Sequence, residues 1–133
     1  MATNVEVLEG IVDMLTAGCP GVNVYKVPPQ QVTAPAVMVS GFSFDPHGTL
    51  GTSRKFSVEL TVAVSGRHVD EFDRLLGLVD PGDSRSIQTA LEDDITLGDR
   101  VSSSTVTAVG QLRELTVGEV PFWAMTVELE VWD

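Results

Sequence analysis

Basic residues are scarce in this chain. Of 133 residues only eight are Lys or Arg, against 19 Asp or Glu, for a formal net charge of −11. Nucleic-acid binders need positive charge to displace counterions, so sequence-general binding of DNA or RNA is disfavoured. Cysteine is scarcer still. Cys19 stands alone, so no internal bridge can form and a disulfide scaffold is excluded. A single thiol fits a reducing compartment such as a bacterial cytoplasm. Its setting, Gly18-Cys19-Pro20-Gly21, offers no basic neighbour and predicts a buried, inert thiol. No apolar run approaches the ~20 residues of a membrane span. The N-terminus carries no basic segment followed by an apolar one, so the chain is expected to remain where it is made.

What is present is an ordinary globular composition, 43% hydrophobic and 20% charged. One domain over residues 1–133 is expected, and a chain of this size buries roughly two-thirds of its unfolded surface. The acidity serves solubility and limits self-association. It also suits a surface that DNA must pass without sticking.

Periodicity predicts the elements. A helix is expected over Asn4–Ala17, with Val5, Leu8, Ile11, Val12 and Leu15 on one face and Thr3 with Glu6 as a capping box. Gly18 and Pro20 stop it. A short strand, Val22–Val27, leads into a proline-rich connector ending at Pro35, and a second strand runs over Ala36–Phe44. The stretch Asp45–Arg54 is a long loop rich in turn residues. In the third strand, Lys55–Ser65, Phe56, Val58, Leu60, Val62 and Val64 alternate with Ser57, Glu59, Thr61 and Ala63. These two strands are expected to form a hairpin.

A helix over His68–Val79 should bury Val69, Phe72, Leu75, Leu76 and Val79 before Asp80-Pro81-Gly82 breaks it. A shorter helix, Ser84–Asp94, is capped by Asp83 or Ser84 and turns Ile87, Ala90 and Leu91 inward. Leu97-Gly98-Asp99 reads as a turn. Two strands close the chain, Val101–Leu115 and Val120–Trp132, joined through Thr116-Val117-Gly118-Glu119. The fold class is α+β: a mixed or mainly antiparallel sheet of about five strands with helices on one face, in the order α-β-β-β-α-α-β-β.

Catalytic motifs are missing. His47 and His68 lie in polar, glycine-containing contexts, and no Gly-x-Ser-x-Gly elbow, phosphate loop, paired Cys or His-x-x-x-His is present. The acidic run Glu92-Asp93-Asp94 with Asp99 lacks the spacing of a calcium loop and reads as a solvated helix end. Neither an enzyme nor a cofactor or metal is expected. Candidate functional positions are therefore surface ones. Asp45, His47, Thr49, Leu50 and Arg54 in the long loop, with Trp132 at the C-terminal strand, are candidate interface residues. Phe42 and Phe44 lie near that loop. Glu59, Glu92, Asp93 and Asp94 are candidates for an acidic surface or a ring lumen.

Several segments occur in a familiar order. An amphipathic helix leads to Val24-Tyr25, then across a proline-rich bridge to Ala34-Pro35-Ala36-Val37-Met38-Val39. A hairpin ends in Phe56–Val64. Phe72-Asp73-Arg74-Leu75-Leu76 follows, then Ser86–Asp94 meeting Leu97-Gly98, and a final strand pair. Over nearly its whole length the chain resembles the tail terminator proteins of long-tailed, non-contractile (siphovirus-type) bacteriophages. The resemblance implies a structural virion protein at the head-proximal end of the tail, assembled in the host bacterial cytoplasm. It implies a homo-hexameric ring that caps the tail tube protein at full length and then binds the head-side connector or stopper. Genomic DNA would pass through the lumen without specific binding, and no membrane is involved. An acidic ring would repel DNA. Two other readings are a head–tail connector or adaptor of the same particle, and a small ligand-binding domain with a pocket between sheet and helices.

Overall fold

The computed structural model describes residues 3–19, 21–26, 31–44, 55–66, 69–80, 86–98, 101, 103–117 and 119–132. The elements are α1 (Asn4–Gly18), β1 (Asn23–Tyr25), β2 (Ala36–Phe44), β3 (Lys55–Ser65), α2 (Val69–Val79), α3 (Ile87–Glu92), β4 (Ser103–Val109), β5 (Arg113–Val117) and β6 (Val120–Trp132). One six-stranded sheet runs β1-β2-β3-β6-β4, and β5 shares β6 with β4. Only β1–β2 is parallel; the other ladders are antiparallel, so the sheet is mixed. The expected hairpin of β2 and β3 is present, and the α+β class with helices on one face holds.

The alternation in β3 and β6 builds the main core. Phe56, Val58, Leu60, Val62 and Val64 from β3 and Val127, Leu129 and Val131 from β6 are all buried against the helices. Burying such side chains stabilises the fold by about 1.5–3 kcal/mol each. The helices contribute Val7, Ile11 and Leu15 from α1, Leu75, Leu78 and Val79 from α2, and Ile87, Ala90 and Leu91 from α3.

Two helix faces differ from expectation. In α1 the ridge Val7–Ile11–Leu15 is buried and Val5 is exposed. That ridge of i, i+4, i+8 spacing is the one that brings Gly18 against α3, where an added Cβ would lie 2.5 Å from Ala90 Cβ. In α2, Leu78 is buried and Leu76 is 42% exposed, because Leu75, Leu78 and Val79 form the contiguous stripe. The side chains of Val69 and Phe72 lie outside the described residues. Thr3 caps α1 by accepting the Glu6 N–H at 3.2 Å. Helix α3 is shorter than expected, and its cap is Ser86, which accepts the Thr89 N–H at 3.1 Å. The expected caps Asp83 and Ser84 lie outside the described residues.

The strand expected over 101–115 is two strands. Residues 110–112 interrupt it, and β4 and β5 pair with different halves of β6. Gly110 donates its N–H to the Thr126 carbonyl at 2.7 Å, and a Cβ there would overlap Thr126 Oγ1. The break therefore sits where Gly110 packs directly against the Thr126 side chain. Thr116 and Val117, expected in the last turn, belong to β5, since Val117 pairs with Val120. Glu119 in the turn holds a positive φ of 69°.

A second, smaller core lies on the other sheet face at one end. Met38, Ala63, Phe122 and Ala124 are buried there beneath Tyr25, Val32, Ala34, Leu115 and Val117. Part of the connector is clasped to β1: Thr33 donates its N–H to the Tyr25 hydroxyl at 3.2 Å, and Asn23 Nδ2 donates to the Thr33 carbonyl at 2.8 Å. The bond between Ala34 and Pro35 is cis. The rest of this face is left uncovered by any described element.

Candidate functional site

The uncovered part of the sheet is acidic. Glu59 on β3 pairs directly with Glu128 on β6, and Ser57 pairs with Glu130 in the next row on that face. Like charges directly opposite each other across strands are destabilising, so such a pair is held by the core behind it, here Leu60, Val127 and Leu129. Glu130 is partly neutralised by Lys55 at 3.0 Å, and the same ammonium lies 5.4 Å from the Trp132 ring.

Two β-bulges flank the glutamate pair. The β2–β3 register shifts at Ser40, between Val39 and Gly41. The β4–β6 register shifts at Thr107, between Val106 and Ala108. Each extra residue turns its hydroxyl to the strand it opposes. Ser40 Oγ donates to the Glu59 carbonyl at 3.3 Å, and Thr107 Oγ1 donates to the Glu128 carbonyl at 3.3 Å. Ser40 Oγ also lies 3.0 Å from Glu59 Oε1 and accepts from Thr61 Oγ1 at 2.8 Å. Bulges bend and twist the strands that carry them. Between these two lies a trough of about 330 Å³, lined by Gly41, Ser43, Ser57, Glu59, Thr107, Glu128 and Glu130 among others.

The Ser40 bulge also decides where the aromatics go. Past it, Phe42 pairs with Val58 and Phe44 with Phe56, which places both on the helix side. Their rings and that of Phe56 form a tilted trio with centroids 6.0–6.5 Å apart. Phe42 packs against the main core, and Phe44 is 42% exposed.

The other expected acidic residues lie elsewhere. Helix α3 packs on the helix side through Ile87 and Leu91, so Glu92, Asp93 and Asp94 are not on the face of Glu59. Glu92 accepts from Gln88 Nε2 at 3.0 Å. Asp94 closes the turn after α3, accepting the N–H and hydroxyl of Thr96 and the Gly98 N–H. Those bonds, the Thr96 hydroxyl foremost, hold its carboxyl below the ordinary carboxylate range. Asp45, His47, Thr49, Leu50 and Arg54 lie outside the described residues, as does Asp99. Trp132 is 38% exposed at the end of the acidic face. Glu128 and Glu130 were visible in the sequence as the polar alternates of the last strand, but their place beside Glu59 needs the register.

Cys19 is buried and its Sγ lies 3.8 Å from the Ser86 carbonyl. Burial pushes the thiol pKa up. Among the described residues no group of three His, Cys, Asp or Glu is placed to hold a metal. No helix among them is long and apolar enough to cross a membrane. No protein-family model and no curated protein sequence matches this chain.

Proposed function

We propose that this protein is a ring-forming structural component of a bacteriophage tail, which caps the tail tube, ends its growth and joins it to the head. The observation that carries the reading is the Glu59–Glu128 pair, with Glu130 beside it, on a sheet face that no described element covers. Such a face is costly for a free subunit, since like charges oppose each other there. It suits a lumen wall, where carboxylates repel passing phosphates and leave DNA free to move. The net charge of −11 agrees with the same use. A rigid sheet backed by a full apolar core suits a part that bears load and does no chemistry.

In this reading the uncovered face lines the ring and the helices face outward. A closed ring is a heterologous assembly, so each subunit offers two different surfaces to its neighbours. The test is mass by light scattering after size exclusion, across concentration and with tail tube protein added. A hexamer once tube protein is added is the expected result. A strict monomer that ignores tube protein overturns the reading. Co-purification with head-side proteins and not with tube protein moves the assignment to a connector.

A further inference from the structure

We propose that the outer edge of β4 pairs with the β4 edge of a second copy of this chain, antiparallel across a two-fold axis, in the free protein. The proposal stands on that edge and does not depend on the ring reading.

An edge strand presents a row of main-chain donors and acceptors to any other strand, and natural proteins blunt such edges with lysine, proline or inward charge. On its outer side β4 pairs with no strand among the described residues. Its sequence, Ser103 to Val109, has neither charge nor proline. The neutral stretch runs on from Val101 to Leu112, within a chain that is 20% charged. Thr105, Thr107, Ala108 and Val109 are exposed, and Leu112 just beyond is 37% exposed. The bulge at Thr107 is its one blunting device.

The strand is also firmly seated. Ser104 is buried and its hydroxyl donates to the Ile95 carbonyl at 3.0 Å. Val106 packs against the main core. A partner would meet a formed strand and would not have to order one.

Charge selects the partner. A basic protein would be drawn to the carboxylates of the open face, which border this strip, whereas the strip itself offers it no charge. Two copies of net charge −11 repel each other wherever carboxylates meet, and the neutral edge is where they can approach. Length selects the pairing mode. Of the other edge strands, β1 has three residues and β5 has five and begins with the charged pair Arg113-Glu114, whereas two copies of β4 match seven against seven. A two-fold axis makes such a pairing antiparallel. With the axis at Val106, Thr105 of each copy opposes the partner's Thr107, and threonine pairs are favourable across strands.

The test is light scattering over a concentration series, comparing the native chain with the double variant Thr105→Lys, Ala108→Lys. Both sites are exposed and lie opposite Glu130 and Glu128 of β6, so the fold should tolerate them. The native chain is expected to pass from one to two chain masses as concentration rises. The folded variant should need at least tenfold more protein to do so. Amide exchange of Thr105 to Val109 should slow with concentration in the native chain and not in the variant. A native chain that stays monomeric, or a dimer that the variant leaves unchanged, overturns the proposal. So does a larger ring that the variant abolishes, which would place the same edge in a heterologous seam.

Discussion

Glu59 and Glu128 face each other in register across the β3–β6 ladder, on a sheet face that no described helix covers. Ser40 and Thr107, extra residues on the two flanking strands, each tie back to the main chain of one of them. The pair is therefore embedded in a deliberate local geometry and is electrostatically unfavourable. Replacing Glu59 by Gln keeps an acceptor for the Ser40 hydroxyl and removes the repulsion. Stability in urea should rise by about 0.2–1 kcal/mol at low salt, the usual scale of a cross-strand pair. The gain should shrink as salt is added. A loss of stability at low salt would show that the two carboxylates do not repel in the folded state.

Ser40 is the surplus residue of its bulge, so deleting it leaves Phe42 opposite Val58 and Phe44 opposite Phe56. Only the hydroxyl bonds to Glu59 and Thr61 are lost. The deletion should cost about 1–3 kcal/mol, the worth of a few hydrogen bonds, and keep the near-ultraviolet dichroism of the packed aromatics. Inserting a second Ser after Ser40 should also restore a period of two and keep Phe42 and Phe44 on the helix side, but it slides them two residues along β3, away from Val58 and Phe56, and should cost more than the deletion. Equal tolerance of both changes would mean that the register is not set here.

Gly18 lets the end of α1 touch α3. An alanine methyl there would fall 2.5 Å from Ala90 Cβ and 3.0 Å from its Cα. Because part of the obstacle is backbone, a rotamer change cannot relieve it. Gly18→Ala should lower stability by about 1–3 kcal/mol despite its better helix propensity, as overpacking does. Chemical denaturation would measure it. An increase in stability would mean that the two helices have room to separate.

Asp94 gives the protein an acid-sensitive turn. Its folded pKa is depressed by Thr96 and Gly98. Its contribution is therefore present above the ordinary carboxylate pKa and is lost as pH falls through the lower folded value. Asp94→Asn should lower stability at neutral pH and leave it nearer to the native chain at the acid end. Denaturation midpoints across pH would show the two curves converging on the acid side. Parallel curves would exclude the linkage.

Much of the fold was legible locally. The bounds of β3 and β6 and the buried face of β3 follow from strict alternation, because successive strand side chains point to opposite faces, and those of β2 follow from Pro35 before it and the turn-rich stretch after it. The helices were legible in position but less so in orientation. In α1 and α2 more than one apolar stripe was available, and Val5 and Leu76 ended outside because packing against α3 and the sheet chose the other stripe. The interruption at residues 110–112 is not legible locally, since β4 and β5 are distinguished by the different halves of β6 with which they pair.

By itself the sequence determined the class of each element, the apolar side of its central strands and the acidity of the chain. These depend on neighbours along the chain and on composition. The tertiary structure alone decided that Glu59 meets Glu128, that Glu92, Asp93 and Asp94 sit on the other side of the sheet, and that two bulges frame the acidic face. Register and bulges are set by hydrogen-bonded partners distant in sequence, and a one-residue shift moves every later side chain to the opposite face.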